Sequence, residues 1–159
     1  DQALSGVLGL IVVKAEIEDD LYNPTHMINY VMLDLYEPAV AFNWDILNPA
    51  DEVHNFTLVP QTVDLAGELT DTQEGMSVIA SEGDIARVNV LAYGEAVHVL
   101  QIDGHTWKDL GSRQTTDTWV GAPAQSGHFY VKLDNPGTWR VGSAVDDRRM
   151  YMTSWLLVQ

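Results

Sequence analysis

The sequence of 159 residues contains no cysteine. This absence excludes disulfide bonds, thiol nucleophiles and metal sites with thiolate ligands, including zinc sites, iron–sulfur clusters and blue copper sites built on a Cys sulfur. It does not fix the compartment, because a domain with a sufficient hydrophobic core can be secreted without disulfides.

Basic residues are scarce: eight Lys and Arg stand against 23 Asp and Glu, a formal net charge of −15. Residues 1–80 hold 14 of the acids and a single base, Lys14. Such a chain repels nucleic acid and anionic membrane surfaces, and it suits cationic partners, metal ions or a salty medium. The uneven distribution argues against uniform halophilic acidity.

Long apolar runs are also lacking, and no segment approaches the roughly 20 residues of a membrane span. No phosphate-binding glycine loop, nucleophile elbow or His-Glu-x-x-His motif occurs. Acid pairs abound, so residue type alone does not exclude glycosidase chemistry, although a solvated acidic face is the simpler account. With 46% hydrophobic residues the chain can form a packed core. These features predict a globular domain without a membrane span.

Short runs rich in β-branched and aromatic residues alternate with Gly, Pro, Asn and Asp. This spacing is typical of an all-β sandwich or barrel. The predicted strands are Gly6–Lys14, Met27–Tyr36, Phe56–Leu65, Met76–Ala80, Ile85–Ala92, Ala96–Ile102, His128–Leu133, Thr138–Val141 and Met152–Val158. A short helical turn could form at Val145–Met150.

The segment from His98 to Trp107 is the most structured group of potential ligands. We predict one strand from His98 to His105. In such a strand Gln101, Asp103 and His105 point to one face and His98 to the other.

Three segments, Gly94–His98, Gly104–Trp107 and Asn135–Trp139, resemble the closing half of a cupredoxin domain in the multicopper oxidases. The similarity is greatest to the group of ceruloplasmin, hephaestin and coagulation factors V and VIII. In that group a His-x-x-His-x-His-Gly-His strand supplies copper ligands, and a Pro-Gly-x-Trp strand leads to a His-Cys-His loop. The resemblance implies a cupredoxin-like Greek-key β-sandwich.

The same resemblance implies that the copper ligands are lost. His98 matches the first copper histidine, but Gln101 and Asp103 stand where the next two belong. Gly142-Ser143-Ala144 replaces the His-Cys-His triplet, and Arg148 replaces a later histidine. Since a blue site needs two imidazoles and a thiolate, no copper cofactor is expected.

The remaining ligand types leave alternatives open. His98 and His105 could be relics held by hydrogen bonds, or His105 could form a weak site with Asp103 and His128 for copper, zinc or calcium. Arg148-Arg149 beside Asp146-Asp147 would form a salt-bridged patch in the space once given to metal. An apolar small molecule is a further possible ligand, because five tryptophans are many for a chain of this length and could form an aromatic pocket.

The first 20 residues resemble the closing strand and linker of a preceding cupredoxin domain, which places the domain proper at 21–159. Because Leu4–Lys14 is apolar on both faces, we predict that Leu8, Leu10 and Val12 pair with another cupredoxin-domain chain or the other half of a cleaved precursor. Asn55-Phe56-Thr57 is an N-glycosylation acceptor sequence, which indicates a secreted, extracellular protein.

Three hypotheses for function follow. The chain is a non-catalytic, copper-free scaffold and interaction chain of a larger extracellular multicopper-oxidase-like assembly. Alternatively, it carries an apolar small molecule or pigment between cupredoxin domains. In the third hypothesis it supports an oxidase whose copper sites lie in a partner chain.

Overall fold

Twelve strands form two six-stranded sheets in the computed structural model, which describes residues 21–36, 54–63, 73–74, 77–94, 96–146 and 152–159. The strands are β1 (His26–Tyr36), β2 (His54–Val63), β3 (Gln73–Glu74), β4 (Ser77–Ala80), β5 (Ile85–Tyr93), β6 (His98–Ile102), β7 (Trp107–Lys108), β8 (Thr115–Thr116), β9 (Thr118–Gly121), β10 (Ser126–Lys132), β11 (Gly137–Ser143) and β12 (Thr153–Val158). The first sheet has the order β2-β1-β5-β10-β7-β8 and the second β3-β4-β12-β11-β6-β9. The predicted β-sandwich is therefore confirmed.

Alternation of side chains explains why each sheet has one face in the core. In β6, His98, Leu100 and Ile102 are buried, whereas Val99 and Gln101 are only partly buried and belong to the outer face. A single cluster of buried side chains from both sheets fills the space between them. Within it the rings of Trp107 and Phe129 stack with centroids 4.0 Å apart.

Eight predicted strands appear in the structure, with ends shifted by up to two residues. The short strands β3, β7, β8 and β9 were not predicted, because two to four residues carry too little alternation to be recognised. The predicted strand Gly6–Lys14 and most of the turn Val145–Met150 lie outside the described residues. Among the residues that are described, no helix is long and apolar enough to cross a membrane.

The prediction of one strand from His98 to His105 is wrong, since β6 ends at Ile102. A turn follows, and Gly104 adopts a left-handed conformation with φ of 73°. Glycine adopts this conformation without a steric penalty from Cβ, so the chain leaves the sheet here. The turn returns His105 to the interior, where it is 4% exposed.

Candidate functional site

The strand β6 separates two environments for the residues that match the copper-ligand motif. His98 points into the core and is fully buried. Gln101 lies on the outer face of the second sheet, where its neighbours come from β9 and β11. The predicted opposition of His98 and Gln101 is therefore confirmed.

A guanidinium lies beside the two positions where the motif has its second and third histidines. Arg140 Nε is 3.3 Å from Asp103 Oδ2, and its Nη2 is 3.5 Å from Gln101 Oε1. Gln101 Nε2 in turn donates to Asp117 Oδ2 at 2.9 Å. We call Gln101, Asp103, Asp117 and Arg140 the outer cluster.

The strand register explains how the outer cluster assembles. The backbone N–H of Asp103 donates to the Arg140 carbonyl at 2.9 Å, which continues the pairing of β6 with β11. The Arg140 side chain is 16% exposed, and that of Asp103 is 40% exposed. Arg140 places a positive charge beside both positions, which opposes the approach of a metal ion there, while the carboxylates of Asp103 and Asp117 offset part of this effect.

Ser143 occupies the position of the copper-binding cysteine in the motif. It is fully buried on β11, where it pairs with Leu100 of β6. Its hydroxyl accepts a hydrogen bond from the backbone N–H of Val145 at 3.1 Å. The hydroxyl is thus engaged in the local turn, and it cannot supply the thiolate of a blue site.

His105 is held by the turn after β6. Its Nδ1 lies 3.1 Å from the carbonyl of Asp103, and its ring meets Trp139 edge-on with centroids 5.7 Å apart. A carbonyl only accepts hydrogen bonds, so Nδ1 carries the proton. The buried Nε2 has no hydrogen-bond partner among the described residues. A proton on Nδ1 and a free Nε2 lone pair are also what a metal-ligating histidine has, but the described residues place no group of three potential ligands around this ring.

The same turn is fixed from the neighbouring strand. The Asn135 amide donates to the carbonyl of Gly104 at 3.0 Å, and Trp139 Nε1 donates to the carbonyl of Asn135 at 2.7 Å. The indole of Trp139 leaves no room for a Cβ on Gly104. The motif segments Gly104–Trp107 and Asn135–Trp139 therefore form one packed unit.

The proposed weak site of Asp103, His105 and His128 is not brought together. His128 lies on β10 of the other sheet, opposite Asn89 of β5. No group of three potential metal ligands occurs in the described ranges.

Asn55 lies near the start of β2, opposite Leu35 of β1. The remaining predicted sites lie outside the described residues: Leu8, Leu10, Val12, Arg148 and Arg149.

Arg140 and Asp117 were missed by reasoning from the sequence. The sequence suggested that Arg148-Arg149 fills the space given to metal in the motif; in the described part of the chain it is Arg140 that contacts Gln101 and Asp103. Its signal was present in the alternation of Trp139-Arg140-Val141, which places Arg140 on the outer face between two core residues. Nothing in the sequence near Asp117 indicated its contact.

Solved structures of copper oxidases share this architecture. The chain superposes on a blue copper oxidase from Nitrosomonas europaea with a TM-score of 0.61 and 17% identity, over 92% of this chain and 46% of the oxidase. The multicopper oxidase mgLAC gives a TM-score of 0.64 and 17% identity, over 92% and 47%. A multicopper oxidase from Pediococcus acidilactici gives 0.58 and 12%, over 96% and 28%.

The chain spans less than half the length of each of these structures. No protein-family model matches the sequence, and no curated protein is similar to it. The shared strand arrangement confirms the cupredoxin-like β-sandwich predicted from the three motif segments: the chain has a fold that is also found in these copper oxidases.

Proposed function

We propose that this chain is a non-catalytic, copper-free domain that acts as a scaffold and interaction chain of a larger extracellular multicopper-oxidase-like assembly. The observation that carries the proposal is the outer cluster, in which Arg140 contacts the side chains at both former histidine positions. A polar network that fills a former ligand site preserves the packing of the sheet while it excludes the metal.

Exposed apolar side chains beside the outer cluster support an interaction role. Trp155 of β12 pairs with Arg140 of β11 and is 44% exposed. Val120 of β9 pairs with Val99 of β6 on the same face and is 57% exposed. Exposed aromatic and apolar side chains are typical of protein interfaces, where they form the buried centre inside a polar rim. A second cupredoxin-domain chain, or the other half of a cleaved precursor, is the partner we propose.

The first prediction concerns copper. The chain incubated with Cu²⁺ and freed of excess should retain no stoichiometric copper and show no intense copper–thiolate absorption, because only one imidazole of the blue-site ligand set and no thiolate remain. Elemental analysis measures the amount of bound copper, and electron paramagnetic resonance measures its paramagnetic signal. Stoichiometric copper with a matching paramagnetic signal would contradict the proposal.

A pair of variants tests whether Arg140 excludes the metal. The double variant Gln101→His/Asp103→His restores two imidazoles but keeps the guanidinium. Adding Arg140→Gln should raise the Cu²⁺ affinity at least about tenfold above that of the double variant, because the nearby positive charge is removed. Isothermal titration gives both affinities. Equal affinities would show that Arg140 does not block the site.

The interaction prediction rests on the apolar segment 4–14. The isolated chain should self-associate through it, and replacing Leu8, Leu10 and Val12 by Gln should yield monomers. The natural interface should exceed about 2,000 Å². Sedimentation velocity and native mass spectrometry measure the oligomeric state of the wild type and of this variant. A stable wild-type monomer would refute the prediction.

Glycan mass at Asn55, measured after expression through a secretory pathway, would support secretion.

A further inference from the structure

A cleft of about 370 Å³ lies between residues 21–22 and the hairpin formed by β7 and β8. Its volume falls at the small end of the range for ligand pockets, about 300–1,000 Å³. Its walls combine apolar and charged side chains. The lining residues are Leu21, Tyr22, Lys108, Asp109, Leu110 and Arg113.

Two positive charges of this cleft lack a neutralising carboxylate among the described residues. Elsewhere, Lys132 pairs with Asp134 at 3.6 Å and Arg140 with Asp103. Lys108 instead donates to the hydroxyl of Thr115 at 2.8 Å, and neither it nor Arg113 is ion-paired within the described part of the chain. In a chain with 23 acids, two such cations at one cleft form a local site for an anion.

Asp109, the acidic residue of the cleft, is held by hydrogen bonds within its own loop. The Asp109 carboxylate accepts the backbone N–H of Ser112 at 2.5 Å, which holds the pKa of this carboxyl below its ordinary value. The backbone N–H of Arg113 donates to the Asp109 carbonyl at 2.8 Å. Arg113 itself has a left-handed backbone with φ of 60°. These contacts fix the loop that presents Arg113.

The apolar part of the cleft lining is partly preformed. The ring of Tyr22 stacks on that of Tyr130 with centroids 4.4 Å apart and planes 9° apart. Leu21 is 76% exposed beside it, and Leu110 is half-buried on the hairpin. An aromatic ring fixed by stacking offers a surface on which an apolar ligand can pack at little entropic cost. We call Leu21, Tyr22 and Leu110 the apolar wall.

We propose that this cleft binds a small organic anion whose carboxylate or sulfonate lies between Lys108 and Arg113 and whose apolar body packs on the apolar wall. The charge of −15 disfavours an anionic membrane surface as the source of the headgroup, so the ligand is a free small molecule. The inference is independent of the proposed scaffold role, because none of the cleft residues belongs to the outer cluster.

Two fluorescent probes test the proposal on the full chain. 1-Anilinonaphthalene-8-sulfonate carries the anionic group, and N-phenyl-1-naphthylamine has the same rings without the sulfonate. The sulfonate should bind saturably, and Lys108→Gln and Arg113→Gln should each weaken it about five- to tenfold, because each removes a charged donor. The neutral probe should bind these variants and the wild type equally. Leu110→Ser should weaken both probes.

Lys132→Gln is the matched control, since it also removes one positive charge from an exposed strand position, at the end of β10, but lies outside the cleft. It should leave sulfonate binding within about twofold of the wild type. Far-UV circular dichroism and melting curves verify that each variant is folded. The proposal is overturned if the wild type shows no saturable sulfonate binding. It is also overturned if Lys108→Gln and Arg113→Gln bind the sulfonate as Lys132→Gln does.

Discussion

Replacing Gly104 by Ala should destabilise the domain by about 3 kcal/mol or more. The residue has φ of 73°, a conformation that costs an L-residue roughly 1–2 kcal/mol. A Cβ would also overlap the six-membered ring of the Trp139 indole, and such overpacking typically costs about 1–3 kcal/mol. Because stabilities of single domains are about 5–15 kcal/mol, chemical denaturation should reveal a large fall in the unfolding midpoint.

Gly83→Ala separates the two contributions to this effect. Gly83 also has positive φ, of 90°, but no described atom lies within 4 Å of the place that a Cβ would take there. It should therefore lose only about 1–2 kcal/mol, the cost of the backbone conformation alone. Equal losses at Gly83 and Gly104 would show that Trp139 moves aside freely and that the turn after β6 is not tightly packed.

The fold was predictable because residues of the motif segments also pack against one another at the turn after β6. Gly104 is required by the turn, Trp139 covers it, and Asn135 bonds its carbonyl. These residues match the motif although Gln101 and Asp103 do not match its histidines, since their role is structural. A sequence motif therefore identifies the fold even where its ligand positions are not matched.

The outer cluster could be predicted only in part. Gln101 and Asp103 are identified by their positions in the motif. Arg140 and Asp117 come from other strands, and their contacts depend on the register of β6 with β11 and on the unpredicted short strand β9. Register follows from the three-dimensional pairing of strands, so it could not be read from the local pattern around Arg140.

The two faces of the second sheet place the positions that match the copper-ligand motif in different surroundings. On the core side, His98 and Ser143 are fully buried, so the volume of the core limits which side chains fit there. On the outer side, Gln101 and Asp103 contact the Arg140 guanidinium and lie beside exposed apolar side chains. The outer face is therefore the one that the proposed partner would cover.

The first sheet carries a second polar network, and this one is buried. Asn89 of β5 donates to Asn29 Oδ1 at 2.9 Å and accepts from Arg87 Nε at 3.2 Å. The three residues are between 3% and 5% exposed. Because β1 and β5 pair with Asn29 opposite Asn89, the network links the two central parallel strands. A buried polar group that loses its partner costs about 1–3 kcal/mol, and more when it is charged.

Asn89→Leu should therefore destabilise the domain by about 2–4 kcal/mol, because the Arg87 guanidinium and the Asn29 amide each lose a hydrogen bond in a buried environment. Gln101→Leu is the matched control. It removes a bond of the same 2.9 Å length to the exposed Asp117 and a longer contact with Arg140 at 3.5 Å, and it should cost about 1 kcal/mol or less. The double variant Asn29→Leu/Asn89→Leu should lose less than the sum of its single variants, since it no longer leaves the Asn29 carbonyl unpaired. Urea unfolding of all four variants measures these differences. Losses for Asn89→Leu as small as those for Gln101→Leu would mean that water or another side chain replaces the lost bonds.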